Sequence, residues 1–505
     1  MIASIEATLY PIACKINEYL SNYILVFLLL GVGLWYSIKT RFVQVRCFGE
    51  GMKKVFGNLK LNGEKHESGM SSFQALATAI AAQVGTGNIV GVATGLLCGG
   101  PGAIFWMWLT GVFGIATKYS ETYISMKYRV KDANGRMLGG AMYALERGFK
   151  HKGLGKLLAV LFALFTAIAS FGIGASVQSN SLAGALTSSS LIPGASEIPT
   201  WLIGIVVTVL VAIVIIGGLK KVSKVCEKLV PVMAIFYVAC CLVIIGMNGA
   251  YLWDAIVTII TCAFTGQAAF GGAVGSGIML ALQYGFKRGL FSNESGLGSA
   301  PLVAASAISK NPARQALVSM SGTFWDTVVI CLITGLMLVT SLLANPDLAA
   351  IYNNTMLASN DLSIDTAVGI FSGGAALATA CFESIPVLGP LVLVVGLLCF
   401  TYSTMLGWSQ YGDRAITYLF GTKGIRPYQV VFLLFVFWGC IGGGDLVWNL
   451  SDISNALMAV PNCIAVLVLS GVIAKGTKYW IYEGRLEEED TTPIPTVGTV
   501  DHPNV

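Results

Sequence analysis

Apolar runs of about 20 residues recur along nearly the whole chain of 505 residues, and they restrict its fold more than any other feature. An α-helix of that length crosses the roughly 30 Å hydrocarbon core of a bilayer. Only 11% of the residues are charged and the mean hydropathy is +0.74, whereas soluble domains carry about 25% charged residues. A membrane β-barrel would show short alternating segments instead. The sequence therefore predicts an all-α polytopic membrane protein.

Eleven membrane-spanning helices are predicted, at approximately residues 20–38, 71–98, 102–126, 156–185, 200–219, 229–248, 265–287, 314–342, 385–418, 428–447 and 450–474. They divide the chain into an N-terminal helix with a cytoplasmic linker, two groups of five helices each, and a polar tail. The boundaries of these four parts are 1–68, 69–248, 249–476 and 477–505. The tail is polar and contains prolines, so we expect it to be disordered.

The lysines and arginines fall almost entirely in every second linker between the predicted spans. Twenty-nine of the 31 basic residues follow the first, third, fifth, seventh, ninth or eleventh span, and this count places Lys287 and Arg288 in the linker after the seventh. Cytoplasmic loops are enriched in Lys and Arg. The pattern predicts an extracellular N-terminus, a cytoplasmic C-terminus and a location in the plasma (inner) membrane. The net charge of +5 then reflects topology and does not indicate nucleic-acid binding.

The residues that would carry enzyme chemistry are sparse. His66, His151 and His502 all lie in polar segments, and the 12 cysteines show no CxxC spacing. Neither a haem nor a zinc site within the membrane is expected, and no other cofactor is indicated. The chain also lacks a GxxxxGK[ST] loop, so ATP binding is not expected. These absences argue against a membrane-embedded enzyme.

One predicted span is interrupted at its centre. In "AIAAQVGTGNIVGVATGLLCGG", residues 79–100, two glycines and three polar side chains occupy positions 83–88. A broken helix leaves backbone N–H and C=O groups unpaired, which would cost several kcal/mol each in lipid. Freed N–H groups at a helix start attract an anion, and freed carbonyls attract a cation. A zwitterionic amino acid with a small metal cation would satisfy both, although glycines can also serve helix packing.

A second interruption is predicted in the seventh span, "TGQAAFGGAVGSGIMLALQYGFKRG". Gly271, Gly272, Gly275 and Gly277 crowd its middle, and Ser276 lies between them. The two interrupted spans stand first in the two groups of five helices and start from opposite sides of the membrane. Such a pair indicates the midplane site of a secondary transporter. Packing glycines are again the alternative.

Several motifs carry a family resemblance. "VGTGN" (Val84–Asn88) is similar to the helix break of sodium-coupled transporters with the bacterial leucine transporter fold. The chain as a whole resembles the alanine or glycine:cation symporter family (sodium:alanine symporter) of the amino acid–polyamine–organocation superfamily. The motifs that carry this resemblance are "GGPGAIFWMWLTGVFG", "ATKYSE", "GGAMYALERG", "RGLFSNESGLGSAP" and "STMLGWSQYGDRA".

The resemblance implies eleven spans, one N-terminal helix before a five-plus-five inverted-repeat core with two broken helices. It also implies a symporter that imports alanine or glycine by alternating access, with Na⁺ as the coupling ion and the bilayer as its surroundings. Proton coupling is the main alternative, because some members of the family use protons. A passive channel is less favoured, since it would show a polar stripe or a charged ring along a pore.

The resemblance also implies site residues. The substrate would be held at the first break and on the seventh span, by Gln83, Gly85, Thr86, Gly87, Asn88, Phe270, Gly271, Gly272 and Ser276. A sodium ion would be bound by the carbonyls of Ala81 and Val84 and by the hydroxyls of Ser403 and Thr404. Sodium is a hard cation, and hard cations take oxygen ligands.

Further polar residues within the spans have two interpretations each. Gln178 and Asn180 either face the pocket or join helices by hydrogen bonds. Asp326 is either a cation ligand, or a partner of the substrate ammonium, or it bonds to Thr323 or Thr327.

Three charged residues are assigned to the cytoplasmic side. Lys118 and Glu121 are predicted as an interfacial pair or gate near the cytoplasmic end of the third span. Glu294 belongs to a motif predicted to be a cytoplasmic loop, with a structural or gating role.

Overall fold

The computed structural model describes residues 2–57, 70–265, 277–360, 367–442 and 444–497. The described part is nearly all helical. Its one sheet is a two-stranded antiparallel hairpin, in which β1 (Val130–Lys131) pairs with β2 (Met137–Leu138).

The first half of the chain contains twelve described α-helices. They are α1 (Ile2–Tyr19), α2 (Val26–Lys39), α3 (Val43–Arg46), α4 (Phe48–Gly57), α5 (Ser72–Gln83), α6 (Val90–Gly99), α7 (Gly102–Lys127), α8 (Ala141–Gly148), α9 (Lys152–Phe171), α10 (Val177–Thr187), α11 (Thr200–Ile215) and α12 (Gly218–Met247). Short π-helical segments, Leu20–Leu25 and Gly172–Ser176, join α1 to α2 and α9 to α10.

The second half contains eleven more within the described ranges. They are α13 (Leu252–Thr265), α14 (Ile278–Asn293), α15 (Ala300–Ala304), α16 (Pro312–Thr323), α17 (Leu332–Ala344), α18 (Pro346–Asn360), α19 (Ala367–Glu383), α20 (Leu388–Phe420), α21 (Ile425–Ile441), α22 (Gly444–Val468) and α23 (Ser470–Thr477). A π-helical segment, Phe324–Cys331, joins α16 to α17, and another, Lys478–Tyr482, follows α23.

Seven helices of the described part are long and apolar enough to cross a membrane. They are Pro11–Lys39, Lys152–Thr187, Gly218–Met247, Pro312–Ala344, Leu388–Phe420, Thr422–Ile441 and Val447–Val468. Three shorter apolar helices accompany them, Val90–Gly99, Thr200–Ile215 and Gly249–Thr265. The prediction of an all-α polytopic membrane protein is therefore confirmed, while the number eleven stays a prediction.

The seventh predicted span, 265–287, has the wrong boundaries. Helix α13 ends at Thr265, and α14 runs from Ile278 to Asn293. Lys287 and Arg288 thus lie within a helix and not in a linker. Both are buried, and their side chains lie 3.2 and 3.0 Å from the carboxylate of Asp452 on α22. A buried charge is tolerated when it is paired, and the sequence did not reveal a partner 164 residues away.

The polar tail also differs from the expectation of disorder as far as Val497. Asn311 donates from its amide to the carbonyls of Leu486 and Glu488, at 2.9 and 3.0 Å. The tail backbone pairs with Lys131, and Val497 is buried. Basic side chains of the surrounding segments form ion pairs with Glu487, namely Lys54, Lys310 and Arg314. These contacts order a polar segment that has little hydrophobic content of its own.

The pair α5 and α6 lies at the centre of the protein. Every residue from 75 to 104 is buried, polar residues included. Helices α14, α16, α19 and α20 pack around this pair. Lipid therefore does not reach the segment that the sequence analysis identified as a broken span.

Candidate substrate and ion site

The first break is present where the sequence predicted it. Helix α5 ends at Gln83, Val84 is extended, and residues Thr86–Asn88 form one 3₁₀ turn before α6 begins at Val90. Because the segment is buried, its backbone groups need partners from protein or ligand. The prediction of an interrupted helix away from lipid is confirmed.

Side chains from three places in the chain meet the freed backbone groups. The N–H of Gly85 donates to Asn88 Oδ1 at 2.9 Å, and the N–H of Thr86 donates to Gln178 Oε1 at 3.2 Å. The carbonyls of Ala81 and Val84 both accept from the hydroxyl of Thr404. Gln178 on α10 therefore reaches the break, in agreement with the interpretation that it faces the pocket.

Two polar oxygens at this break have no hydrogen-bond partner in the described structure. They are Gln83 Oε1 and Thr86 Oγ1, and both are buried. Buried polar atoms are normally hydrogen-bonded, so an unpaired one requires an explanation. A bound polar ligand beside Thr86 would supply it.

Three oxygens converge at the first break, two from its own backbone and one from a side chain of α20. Thr404 Oγ1 lies 3.1 Å from the carbonyl oxygen of Ala81 and 3.1 Å from that of Val84. Such a set of hydroxyl and carbonyl oxygens suits a hard cation. Ser403 does not join this set, because its hydroxyl donates to the carbonyl of Phe400 at 2.9 Å.

Gly85 is required by the close approach of two side chains. A Cβ at this position would lie 2.6 Å from Thr404 Oγ1 and 2.9 Å from Gln178 Oε1. Its φ of −139° is open to any residue, so the constraint is contact and not backbone strain. The glycine therefore lets the Thr404 and Gln178 oxygens approach the same stretch of backbone.

Asp326 connects the first break to two other helical segments. Asn88 Nδ2 donates to its carboxylate at 2.8 Å, and Ser292 and Thr327 donate to the other carboxylate oxygen at 2.8 and 2.6 Å. The predicted bond to Thr327 is confirmed, whereas Thr323 lies 3.0 Å from Ser295 instead. Asp326 thus links the first break to the end of α14. It is not one of the three oxygens that converge at Thr404.

A second buried break lies between α14 and α15, and the sequence analysis did not identify it. Glu294, Gly296 and Gly298 have φ values of +55°, +96° and +75°, which interrupt the helix after Asn293. The predicted site residues Phe270, Gly271, Gly272 and Ser276 lie outside the described residues. The signal that could have found the break is "SNESGLGSAP", which holds glycines and polar residues as "VGTGN" does.

The two breaks are neighbours in space. A Cβ on Gly87 would lie 3.1 Å from Phe291 and 3.4 Å from the Cα of Ser292, both at the end of α14. Together with the Asn88–Asp326–Ser292 contacts, this places the start of α6 against the end of α14. The freed backbone of both segments therefore surrounds one region.

Lys118 and Glu121 on α7 form hydrogen bonds with the backbone of the second break. Lys118 Nζ donates to the carbonyl of Glu294 at 3.0 Å, and Glu121 accepts from the N–H of Gly298 at 3.2 Å and from Asn462 at 2.6 Å. Both residues are at most 1% exposed. The prediction of an interfacial pair is therefore wrong, because each side chain is buried and binds backbone freed by the break. The alternative, a gate, stays a prediction.

Glu294 is also placed differently from the prediction of a cytoplasmic loop. It is 1% exposed. Its carboxylate accepts from Trp408 Nε1 at 2.7 Å and from Ser299 at 2.6 Å.

Asn180 on α10 joins two helices. Its amide donates to the carbonyls of Gly439 and Gly442, so the interpretation that it joins helices by hydrogen bonds is confirmed.

An aromatic pair and a buried charge cluster cover the breaks on the side where α14 begins. The rings of Phe291 and Trp448 stack at a centroid distance of 5.3 Å. One turn earlier on α14, Arg288 pairs with Asp452. The buried charges of Lys287, Arg288 and Asp452 are called the Asp452 cluster below.

Comparison with known proteins gives a consistent answer. A sequence profile of the sodium:alanine symporter family matches residues 6–493. The chain is 46% identical to the sodium/alanine symporter AgcS of Methanococcus maripaludis over 464 residues, which cover 92% of this chain and 95% of that protein.

Two relatives from Bacillus subtilis also align over most of their length. The probable sodium/glutamine symporter GlnT is 34% identical over 92% of this chain and 88% of its own length. The amino-acid carrier protein AlsT is 33% identical over 91% of this chain and 89% of its own length. The chain therefore belongs to the sodium:alanine symporter family of cation-coupled amino-acid transporters.

Proposed function

We propose that the protein imports a small neutral amino acid, alanine or glycine, together with Na⁺ by alternating access. The family makes it a transporter and not an enzyme. The observation that carries the specific proposal is the convergence of Ala81 O, Val84 O and Thr404 Oγ1 next to the unpaired hydroxyl of Thr86. An ion site and a polar ligand site then share one short stretch of backbone.

The sodium ion would bind the three converging oxygens. In the described structure the hydroxyl proton of Thr404 points at two carbonyls that have lost their intrahelical donors. A cation in that place would use the same oxygens, with the hydroxyl turned to offer a lone pair. Ser403 would join only after rotation of its side chain, and Asp326 would contribute negative charge from a greater distance.

The substrate would lie across the 3₁₀ turn. Its carboxylate would accept from the backbone N–H groups of Thr86 and Gly87, where a helix begins and anions are favoured. The Thr86 N–H would then turn from Gln178 Oε1, to which it donates in the described structure, to the carboxylate. Gln83, Asn88 and Gln178 would line the same space. Its ammonium would meet carbonyl oxygens freed by the breaks.

Substrate size would be limited by the end of α14. Phe291 lies against Gly87 and is stacked on Trp448. This aromatic pair would limit the substrate side chain to about the size of a methyl group. Phe270, Gly271, Gly272 and Ser276 remain predictions for the remaining wall.

The topology that we propose is eleven spans in a plasma membrane, with the N-terminus outside and the C-terminus in the cytoplasm. The first five-helix group would occupy 69–248 and the second 249–476. Support comes from the seven long and three short apolar helices and from the basic linkers. The break at Val84–Asn88 falls in the first span of the first group, and the break at Glu294–Ser299 directly follows α14 in the second group.

Alternating access would open one side of this region at a time. In this topology α14 begins at the extracellular face, so Phe291, Trp448 and the Asp452 cluster would close the outward path. Opening would separate α14 from α22, which carry the two halves of this closure.

Proton coupling is the alternative with an observation in its favour. Glu121, Glu294 and Asp326 are all at most 1% exposed and surround the breaks. A buried carboxyl can carry a proton in place of a metal ion. A proton gradient would then replace the sodium gradient as the driving force.

The test is uptake of labelled alanine into proteoliposomes with an imposed inward Na⁺ gradient. A choline gradient and an inward proton gradient serve as matched arms, and empty liposomes as the background. Accumulation above the external concentration with Na⁺ alone supports the proposal. Accumulation with the proton gradient alone supports the alternative, and equilibration without accumulation under either gradient contradicts both.

A further inference from the structure

We propose that the Glu294–Trp408 hydrogen bond makes ion binding and substrate binding depend on each other. This inference rests on the proposed function and names a positioning residue for it. Glu294 lies in the second break, and Trp408 lies on α20, the helix that carries Thr404. The bond between them joins the substrate region to the ion site through side chains that touch neither ligand.

Glu294 is held at both its backbone and its side chain. Its φ of +55° is uncommon for a residue with a Cβ and persists only where the surroundings enforce it. Lys118 binds its carbonyl, while Ser299 and Trp408 bind the two carboxylate oxygens. A movement of Trp408 therefore changes the contacts that hold the second break in this conformation.

Trp408 follows the movements of α20 closely. It lies four residues after Thr404, so both side chains leave the same face of the helix. The indole packs where Gly174 has no side chain, since a Cβ there would lie 2.4 Å from Trp408 Cβ. The ring also meets Tyr411 edge-on at a centroid distance of 5.2 Å. The indole is too confined to reorient independently.

The same face of α20 contacts α5, the helix that ends at the first break. A Cβ on Gly407 would lie 2.6 Å from the Cβ of Ala82. When a cation draws Thr404 towards Ala81 and Val84, α20 must adjust against α5. Trp408 transmits that adjustment to Glu294.

The second break in turn contacts the substrate region. Ser292, two residues before Glu294, donates to Asp326, which binds Asn88 at the first break. Phe291 lies against Gly87. A change at Glu294 thus reaches the residues proposed to hold the amino acid, and the path is continuous through named contacts.

A purely structural role for Glu294 would require fewer contacts than the structure shows. To stabilise the break alone, the carboxylate would need only Ser299, and the carbonyl only Lys118. The bond to Trp408 is additional, and it goes to a helix that contributes an ion ligand. The two roles can therefore be separated by measuring coupling as well as affinity.

The experiment measures the dissociation constant of labelled alanine for purified protein in nanodiscs, at saturating Na⁺ and with choline in its place. The ratio of the two constants is the coupling factor. Coupling between sites is typically about 5- to 150-fold and is reciprocal, so the Na⁺ constant is also measured with and without alanine. The parent protein should show the same factor in both directions.

Two variants remove the bond in different ways. Trp408→Phe keeps a ring but removes the N–H donor, and Glu294→Gln keeps an acceptor but removes the charge. We expect each to lower the coupling factor at least about fivefold, or to about one if the parental factor is smaller. The double variant should lose no more than the stronger single variant, because one bond is involved.

The matched control is Tyr411→Phe. Tyr411 packs on Trp408, and its hydroxyl has no hydrogen-bond partner among the described contacts. Its loss should leave the coupling factor within about twofold of the parent. A fall as large as that of Trp408→Phe would show a packing effect and overturn the role of the bond.

The outcomes separate this inference from the proposed function. If the affinity of the parent protein for alanine is the same with and without Na⁺, the proposed function is overturned. A sodium-dependent parent whose factor survives in both Trp408→Phe and Glu294→Gln would overturn the coupling role alone. Thermal unfolding of each variant is measured in parallel, and if one does not fold, the factor of the other decides.

Discussion

The hydroxyl of Thr404 lies 3.1 Å from the carbonyl oxygen of Val84, although 320 residues separate the two along the chain. Val84 is the first residue after α5, where the helix loses its regular hydrogen bonding. The contact joins α20 to the first break at the point where an oxygen-lined ion site is proposed. The site is therefore built from freed backbone on one segment and a hydroxyl on another.

Replacement of Thr404 tests the ion site directly. Thr404→Ala removes one of three converging oxygens, so we expect the Na⁺ concentration for half-maximal uptake to rise roughly tenfold, equivalent to about 1.4 kcal/mol. Preference between alanine and glycine should change less. The measurement is uptake against Na⁺ concentration in proteoliposomes, with Thr404→Ser as the variant that keeps the hydroxyl.

Ser403→Ala is the matched control for that experiment. The Ser403 hydroxyl donates to Phe400 within its own helix and not to the break. Its loss should shift the Na⁺ requirement by less than about twofold, because this hydroxyl is not one of the three converging oxygens. The lost local bond should lower the stability of the fold instead, by about 0.5–1.5 kcal/mol. A shift equal to that of Thr404→Ala would place Ser403 in the ion site.

Gly85→Ala should abolish sodium-driven uptake. The added Cβ would lie 2.6 Å from Thr404 Oγ1 and 2.9 Å from Gln178 Oε1, so it displaces both side chains. Gly91→Ala is the control, since the nearest atom to its Cβ would be 3.9 Å away. Uptake and thermal stability are measured for both variants. Wild-type uptake by Gly85→Ala would contradict the close approach described here.

Gln178 and Asn180 should give different phenotypes although they lie on one helix two residues apart. Gln178→Ala removes a polar side chain that is proposed to line the substrate space and that holds the Thr86 N–H in place before the substrate binds, so the apparent affinity for alanine should fall about tenfold, or roughly 1–2 kcal/mol. Asn180→Ala removes bonds to α21 and should lower thermal stability by a similar energy with little change in affinity. Uptake kinetics and thermal unfolding distinguish the two effects, and reversed phenotypes would refute the assignment.

Asp452→Asn should destabilise the protein strongly. It leaves the buried cations Lys287 and Arg288 without their carboxylate, and breaking a buried pair costs about 3–5 kcal/mol. Thermal unfolding in detergent is the measurement. Asp452→Glu keeps the charge and should recover part of the loss. Unchanged stability in Asp452→Asn would show that the cluster contributes little to the fold.

Docking of the tail should depend on pH in a defined direction. The hydrogen bond from Lys54, followed by those from Lys310 and Arg314, lowers the pKa of Glu487 from 4.5 to about 2. A carboxyl with a lowered pKa stabilises the docked state above its ordinary pKa, and that contribution is lost as the pH falls through the lowered value. The docked tail should therefore persist at pH 5 and release between about pH 4.5 and 2.

The measurement for the tail is hydrogen exchange of residues 485–497 across that pH range, corrected for the intrinsic pH dependence of exchange. Glu487→Gln should exchange faster at pH 7, because the amide cannot form the same ion pairs. Glu489→Gln is the matched control, since the Glu489 side chain forms no ion pair among the described contacts. Equal exchange in the parent and in Glu487→Gln would show that the ion pairs do not hold the tail.

The first break could be read from the sequence, whereas the buried break at Glu294–Ser299 was not identified. The interruption predicted at Gly271–Gly277 falls mostly outside the described residues and stays a prediction. Gly85, Gly87 and Asn88 interrupt a run that is otherwise apolar on both sides, so the interruption is visible in the local pattern. The second break follows Lys287 and Arg288 closely, and in one dimension that stretch looks like the polar end of a span. Its burial becomes understandable only when Asp452 is known to lie beside the two cations.

The sequence by itself determined the class of protein, its membrane setting and the first interruption, because hydropathy and glycine content act locally along the chain. The resemblance of its motifs pointed to Ala81, Val84 and Thr404 before the structure brought them together. Only the tertiary structure decided which groups form hydrogen bonds with Lys118, Glu121 and Glu294, and where the tail docks. Such pairings depend on the packing of helices, which cannot be computed from the order of residues within any one of them.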